Sequence, residues 1–356
     1  MKRCSLQEEA TEQKLSPHGQ SGLRYVHDSE TGIRRVRSGK GFRYSTPDNT
    51  ALSEGDRQRI EALVIPPAWE NVWICTDPRG HIQATGRDDK GRKQYRYHAQ
   101  WTALQGETKF AGLTDFARGL SPLRAAIEVD LRRRAMGREK VIATAVSLMD
   151  KLLIRVGNQS YAKKNKSFGL TTLRKRHVRG DGRVIRFIFL GKSGKKWNLQ
   201  LSDRRISRLI RSIQELPGQH LFQYLDDSEQ CCPITSDDIN AYLREASRSD
   251  FTSRHFRTWA ATVQALDGLR RLPRPDNAAQ CRRVLNIEID RVAGLLGNTR
   301  TVCRSSYIHP AVISSWTEDR LAGEIRQARS IRVVAPGLDS AERLTLKWLE
   351  HIGTSE

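Results

Sequence analysis

Short runs of alternating apolar and polar residues, separated by turn residues, fill the chain from residue 22 to about residue 101. This alternation has the two-residue period of β-strands, whose successive side chains point to opposite faces. One helix interrupts the runs, because Ser53 and Asp56 form a capping signal and Pro66 and Pro67 stop the segment. The predicted strands cover residues 24–27, 33–36, 42–44, 72–75, 82–85 and 94–98.

The period changes at residues 105–108, after which apolar residues recur at three- and four-residue spacing. Helices are predicted at residues 138–154, from 203, from 252, up to 296, after 310 and around 344–352. A β meander lies among them, with strands at residues 173–179 and 184–190 and a third strand carrying Trp197, Leu199 and Leu201. Glycine-containing turns join these strands, at residues 180–182 and 191–194.

These patterns predict an α+β protein. A polar tail at residues 1–20 precedes a small β-rich domain at residues 21–105, and a larger, mainly α-helical domain with the three-stranded meander covers residues 106–356.

The charge of the chain indicates its partner. It holds 61 lysines and arginines against 40 acidic residues, a formal net charge of +21, so a polyanion is expected. No stretch is apolar enough to span a membrane and the start has no secretory pattern, which favours nucleic acid and a location in the cytoplasm or nucleoid. The six cysteines lack ligand spacing, and there is no phosphate loop or carboxylate cluster. We therefore expect neither a metal ion nor a cofactor.

Residues 86–98 interleave cations, an amide and aromatic rings. In a strand, Gln94 and Arg96 would share one face, and Tyr95 and Tyr97 the other. One face could contact phosphates or base edges while the other packs, as in strands that bind DNA grooves. An exposed basic hairpin with two core tyrosines explains the segment equally well. The candidate DNA contacts here are Arg92, Gln94, Tyr95 and Tyr97.

Five polar residues each stand at an end or turn of a predicted element: Arg155, Lys192, Arg257, Asn298 and Tyr307. Tyr307 could attack a phosphate, although most tyrosines are packing residues. The charge of Arg155 also suits a helix C-terminus, and Lys192 could be an ordinary turn lysine. Arg257 stands in the first turn of its helix, where a cation is stabilising only if an anion binds there.

The helix from residue 203 carries a cationic stripe, Arg204, Arg208 and Arg211, on the side opposite its apolar residues. Such a stripe is usually a solvated face. With a net charge of +21 it is also a candidate phosphate track.

The five polar residues lie in motifs that resemble those of type IB DNA topoisomerases, particularly the compact poxvirus and bacterial enzymes. The matching text is Ile-Arg-Val-Gly at residues 154–157, Phe-Leu-Gly-Lys at 189–192, Phe-Arg-Thr-Trp at 256–259, and Gly-Asn-Thr at 297–299 with Ser-Tyr at 306–307. Residues 65–69 and 86–97 look like the family's N-terminal β domain. The resemblance runs from about residue 22 to beyond residue 307.

The resemblance implies that supercoiled DNA is relaxed by transient cleavage of one strand. Tyr307 would form a 3′-phosphotyrosyl link and free a 5′-hydroxyl, so that resealing needs no ATP or metal. Arg155 and Arg257 would clamp the phosphate oxygens, and Lys192 would protonate the departing 5′-oxygen. A monomer closing around double-stranded DNA is implied, with Tyr161 as a further groove contact.

Asn298 departs from the poxvirus pattern, which has histidine at this position. An asparagine side chain still offers a hydrogen-bond donor to one phosphate oxygen. It cannot carry charge or titrate.

Two other functions fit part of the sequence. Tyrosine recombinases, including integrases, share the catalytic arrangement, but they join it to a helical DNA-binding domain rather than a β-rich one. A non-enzymatic nucleoid protein would explain the charge but not the five ordered polar residues. Relaxation of plasmid in EDTA without ATP distinguishes the three.

Overall fold

The computed structural model describes residues 22–354, apart from residues 40, 90, 181 and 182. The predicted tail at residues 1–20 lies outside the described residues. Two compact units divide the chain between Lys109 and Phe110. Within the part of the chain that is described, no helix has the length and apolar character needed to cross a membrane.

The N-terminal unit is built on a five-stranded antiparallel sheet with strand order β2-β1-β3-β4-β5. Its elements are β1 (Ile33–Ser38), β2 (Gly41–Ser45), α1 (Glu54–Ala62), β3 (Glu70–Ile74), β4 (Ile82–Arg87) and β5 (Lys93–Tyr97). Helix α1 begins where its capping signal predicts, because the Ser53 hydroxyl oxygen accepts the backbone N–H of Asp56 at 3.1 Å. Five of the six predicted strands are confirmed.

Residues 24–27 are not a strand. Arg24 makes a single bridge to Gly80, and the backbone N–H of Val26 donates to the Nδ1 atom of His81 at 3.1 Å. A side chain therefore takes the place of a partner strand, and the segment stays irregular.

Both faces of this sheet carry a small apolar core. One contains Ile60 of α1, together with Ile33, Val72, Ile74 and Ala84 from the strands. The other contains Val26, Trp73 and Cys75. Because neighbouring residues of β3 point to opposite faces, the run from Val72 to Cys75 serves both cores.

The C-terminal unit is mainly helical and encloses one large core. Its helices are α2 (Ala99–Ala111, which crosses the boundary between the units), α3 (Leu113–Leu131), α4 (Arg138–Leu152), α5 (Gln159–Asn165), α6 (Arg204–Glu215), α7 (Ser236–Ser247), α8 (Ser253–Leu269), α9 (Ala278–Leu296), α10 (Arg300–Ser306), α11 (Pro310–Thr317), α12 (Leu321–Ala328) and α13 (Ser340–Gly353). Its strands are β6 (Val178–Gly180), β7 (Val184–Leu190), β8 (Lys196–Ser202), β9 (Gln223–Leu225) and β10 (Cys231–Pro233). The strands β6, β7 and β8 form the predicted meander, so the α+β class is confirmed.

The first strand of the meander is shorter than predicted. A 3-10 turn, Lys175–His177, replaces its middle, and only Val178–Gly180 pairs with β7. The Nδ1 atom of His177 accepts the backbone N–H of Arg174 at 3.1 Å, a local bond that competes with a sheet ladder. The predicted turn at residues 180–182 falls partly outside the described residues.

An ion network joins four helices of the C-terminal unit. Arg124 on α3 pairs with Asp150 on α4 at 2.8 Å and with Glu342 on α13 at 2.7 Å. Trp259 on α8 donates its indole N–H to Glu342 at 3.1 Å. Burial acts to raise the pKa of Glu342, but hydrogen bonds and charge from Arg124 outweigh it, so the pKa lies below its ordinary value of 4.5.

Replacing Arg124 by methionine should lower the free energy of unfolding by about 3–5 kcal/mol, because it leaves the buried Glu342 carboxylate unpaired. The stabilisation by this pair is present above the unfolded-state pKa of Glu342 and is lost as pH falls through the lower folded-state pKa. The stability deficit of the variant should therefore shrink as pH falls below the ordinary pKa of 4.5. Urea unfolding at pH 7 and pH 3.5 measures both effects.

The control is Arg118→Met, which removes a pair with Glu350 whose arginine is 60% exposed. It should cost no more than about 1 kcal/mol. Equal losses in the two variants would contradict a stabilising role for the buried network.

Candidate active site

Residues 153–157, between α4 and α5, are held in place by backbone contacts with residues 169–171. Leu153 takes a left-handed conformation with φ of 56°, which ends α4 two residues earlier than predicted. The carbonyl of Arg155 then accepts the N–H of Leu170 at 2.8 Å. Gly169 packs so closely here that a Cβ atom on it would lie 2.6 Å from this carbonyl oxygen. Arg155 is therefore held at its backbone, and its side chain is half-buried.

Arg257 is buried, with 4% of the residue exposed, whereas the sequence predicts that it emerges from the first turn of α8. Its Nη1 atom donates to the carbonyl of Leu153 at 2.5 Å, and Nη2 donates to the carbonyl of Leu296 at 2.6 Å. These carbonyls end α4 and α9, where oxygens lack partners within their own helices. A guanidinium suits this place because its donors reach both helix ends at once.

The charge of Arg257 is disfavoured by its surroundings. Burial and the positive charge of Arg155 lower its pKa from 12.5 to about 10, although the charge and hydrogen bond of Tyr307 act in the opposite direction. At neutral pH the side chain remains protonated. It is thus a buried cation beside a second cation.

Asn298 follows the predicted stop at Gly297, which caps α9 with φ of 61°. Its backbone N–H donates to Ala293 at 2.9 Å. Its side-chain Oδ1 accepts a hydrogen bond from the Nη2 atom of Arg155. The Nδ2 atom is buried and has no partner, and the same is true of the Nε atom of Arg257.

Tyr307 ends α10, where its N–H donates to Cys303 at 3.0 Å, and its ring is half-buried. The Cζ atom of Arg257 lies 5.2 Å from the centre of the ring. The Thr262 hydroxyl lies 3.3 Å from the Tyr307 carbonyl and accepts the His309 N–H at 3.1 Å. Helix α8 therefore supplies both the arginine beside the ring and two contacts to the backbone that follows, at the Tyr307 carbonyl and the His309 N–H.

Four of the five candidate residues are thus in one cluster: Arg155, Arg257, Asn298 and Tyr307. Lys192 stands on an exposed 3-10 turn, Lys192–Gly194, between β7 and β8. In the described part of the chain it makes no hydrogen bond or ion pair. Its side chain is free to meet a ligand.

The cluster has the properties of an anion site. Across residues 22–354, with the gaps given above, no carboxylate pairs with Arg155 or Arg257. Buried charges are normally paired and buried donors normally bonded. Two cations and two unpartnered N–H groups around a phenol could therefore bind a group with several oxygens, such as a phosphate.

One face of strand β5 is exposed to solvent and the other is half-buried. Tyr95 and Tyr97 are 40% and 45% exposed and stack with ring centres 5.7 Å apart. Gln94 and Arg96 are the half-buried residues: Gln94 donates to Asp88 at 3.0 Å and Arg96 to the Val64 carbonyl at 2.9 Å. The core-tyrosine interpretation is therefore wrong.

The other candidate DNA contacts are on the surface. Arg92 pairs with Asp88 at 2.6 Å. Tyr161 on α5 is 37% exposed, and Arg204 and Arg208 on α6 are exposed. No hydrogen bond, ion pair or ring contact among the described residues joins Tyr161, Arg204 or Arg208 to the four-residue cluster.

Sequence reasoning missed two residues that hold this region together. Thr262 looked like an ordinary helix residue, and Trp197 like one of the alternating residues of β8. Trp197 packs against both Gly191 and Gly297, the residues that precede Lys192 and Asn298. The only signal in the sequence is that a glycine precedes each of the two polar residues.

Two family models match the chain. The model described as "Eukaryotic DNA topoisomerase I, catalytic core" matches residues 98–330. The model described as "Bacterial DNA topoisomerase IB, N-terminal domain" matches residues 41–88. The second match accounts for the β-rich region, which the recombinase alternative does not.

Individual relatives agree with these models. The chain is 35% identical over 285 residues to DNA topoisomerase 1B of Acanthamoeba polyphaga mimivirus, covering 78% of this chain and 85% of the relative. It is 22% identical over 173 residues to DNA topoisomerase 1B of Vaccinia virus (strain Copenhagen), covering 47% and 52%. It is 25% identical over 217 residues to the mitochondrial DNA topoisomerase I of Homo sapiens, covering 57% and 34%. Because the family models and the viral relative span most of the chain, this protein belongs to the type IB DNA topoisomerases.

Proposed function

We propose that Tyr307 of this topoisomerase cleaves and reseals one strand of duplex DNA, and that Arg155, Lys192, Arg257 and Asn298 complete the reacting site. The observation that carries the proposal is the pair of buried donors without partners, Arg257 Nε and Asn298 Nδ2, beside the half-buried phenol. A phosphodiester would supply the acceptor oxygens that both donors lack.

The chemical step follows from these positions. The Tyr307 oxygen attacks phosphorus, a new O–P bond forms, and the bond to the 5′-oxygen breaks. The phenolic proton passes to solvent, and the departing 5′-oxygen takes a proton from the Lys192 ammonium. Reversal of the same step reseals the strand, so the energy of the phosphodiester is kept and no ATP is consumed.

The two arginines have separate tasks in this scheme. Arg257 is anchored by two carbonyls, so it provides a fixed charge that needs no rearrangement when negative charge develops. Arg155 is held by Asn298, whose remaining N–H can donate to a phosphate oxygen. The anchoring holds the two positive charges in place against their mutual repulsion.

DNA binding is assigned to both units. In residues 21–105 the open face of β5, with Tyr95 and Tyr97, would lie in a groove, with Arg92 and Gln94 at its edge. In residues 106–356 the candidates are Tyr161 on α5 and the arginine stripe on α6. The same proposal has three further parts. The protein acts as a monomer, it closes around the duplex, and it works at the nucleoid.

Replacing Tyr307 by phenylalanine should abolish relaxation of supercoiled plasmid in EDTA without ATP. The loss should be at least about 10⁴-fold, the scale seen when a catalytic nucleophile is removed. Agarose gels of a timed reaction give the rate, and gel shift should show DNA binding unchanged, because only one oxygen is removed. Relaxation by the variant at the parent rate would overturn the assignment of the nucleophile.

The cleavage rate should show no inflection near pH 6.5, since Asn298 does not titrate. His309, two residues after Tyr307, does not supply one either, because burial lowers its pKa to about 4 and leaves it neutral above that pH. In Asn298→His an inflection should appear between about pH 5 and 8, with faster cleavage on the acid side where the imidazolium donates a charged hydrogen bond. Single-turnover cleavage across this range is the measurement. A parent inflection that disappears on mutating Asn298 would contradict the prediction.

Replacing Arg208 by glutamine should reduce the salt dependence of DNA binding if this residue neutralises a phosphate. The slope of log K against log salt should become shallower by about 0.9 for each phosphate that the variant no longer neutralises. Arg205→Gln on the same helix is the matched control, because Arg205 pairs with Glu128 at 2.6 Å. Equal slopes for Arg208→Gln and the parent would exclude Arg208 as a phosphate contact.

A further inference from the structure

The turn that carries Lys192 has little to hold it from within. Residues 192–196 are all exposed, and two backbone hydrogen bonds close the turn: the Gly191 N–H donates to the Lys195 carbonyl at 2.8 Å, and the Gly194 N–H donates to the Gly191 carbonyl at 3.1 Å. Ser193 and Gly194 both have positive φ, 62° and 74°. The β7–β8 ladder fixes the two ends of the turn, so a contact outside the turn is needed to hold its tip relative to the four-residue cluster.

One indole ring touches both the lysine turn and the asparagine turn. A Cβ atom built on Gly191 would lie 2.4 Å from the Nε1 atom of Trp197, and one built on Gly297 would lie 2.3 Å from its Cζ2 atom. Both distances are far below van der Waals contact, so the ring occupies the space that any side chain at either position would need. Lys192 and Asn298 are each one residue beyond these glycines.

Gly191 shows that the close approach of the ring, rather than the backbone, requires glycine. Its φ of −94° and ψ of −169° are open to any residue. Gly297 has a positive φ of 61° as well as the close approach. At Gly191 the position of the indole ring is therefore the physical reason why the residue must be glycine.

The ring itself is well fixed. Trp197 is 9% exposed and lies on β8, paired with Phe189 on β7. The two rings stack with centres 6.3 Å apart and planes inclined by 17°. The Lys195 ammonium lies 5.7 Å from the centre of the indole. A ring held in this way can act as a rigid spacer between two turns.

We propose that Trp197 is a positioning residue for the proton donor: it docks the Lys192 turn against the Gly297–Asn298 turn. This inference rests on the proposed role of Lys192. Proton transfer needs the donor within hydrogen-bond reach of the 5′-oxygen, and a displacement of about 1 Å can cost about 100-fold in rate. Trp197 does not touch DNA in this scheme.

The test compares two leaving groups. A duplex with one mapped cleavage site is prepared with its ordinary 5′-oxygen and with sulfur in place of that oxygen. A thiolate leaves without protonation, since thiols ionise near pH 8.5. A defect in proton donation should therefore appear with the oxygen substrate and vanish with the sulfur substrate.

Full-length Trp197→Leu should cleave the oxygen substrate about 10–100-fold more slowly than the parent and the sulfur substrate at nearly the parent rate. Lys192→Ala should show a larger loss on oxygen, about 10²–10⁴-fold, and the same rescue by sulfur. Trp197→Phe should lose less of the cleavage rate on the oxygen substrate and should also be rescued by sulfur. It replaces the leucine variant in the test if that variant does not fold. Trp316→Leu, a buried tryptophan on α11, is the matched control and should affect both substrates equally.

The outcomes separate the two proposals. If Lys192→Ala is rescued by sulfur but the Trp197 variants lose equally on both substrates, Trp197 is an ordinary core residue and this inference is wrong. If Lys192→Ala is itself not rescued, the lysine is not the proton donor, and the proposed role of Lys192 fails together with this inference. Rescue of both residues' variants supports the positioning role.

Discussion

The burial of the Arg257 guanidinium against two helix ends is the constraint on which this site depends. The carbonyls of Leu153 and Leu296 each need a donor, and one side chain serves both. In doing so it joins the end of α4, the start of α8 and the end of α9. Arg155 and Asn298 lie just beyond the ends of α4 and α9, and the Tyr307 ring lies beside the same guanidinium, so the cluster is organised around one interaction.

This arrangement has an energetic cost that a ligand can offset. A cation beside Arg155, with no carboxylate partner among the described residues, is disfavoured by burial, which is why its pKa falls to about 10. The unpartnered Nε and Nδ2 atoms add to the cost. A phosphate diester brings negative charge and acceptor oxygens to the same place. The folded protein is therefore less stable locally than it could be, and more complementary to DNA.

Much of the fold follows from local patterns in the sequence. Helix α1 begins at its predicted cap, α9 ends at Gly297, and five of six strands in the N-terminal unit lie where alternation indicates. Failures occur where a side chain replaces a backbone partner. His81 bonds to Val26 where a predicted strand is irregular chain, and His177 bonds to Arg174 where a predicted strand is shortened. Such bonds depend on which residues meet, which periodicity does not encode.

The sequence by itself determined the family, the α+β class and the candidate residues, because motifs, periods and caps are local properties of the chain. Only the tertiary structure decided that Tyr95 and Tyr97 face outward, since alternation defines two faces of a strand but not which one meets a core. It also decided that Arg257 is buried and that Trp197 separates two turns. Both depend on contacts between residues about 100 positions apart, and distances of that kind are set by packing.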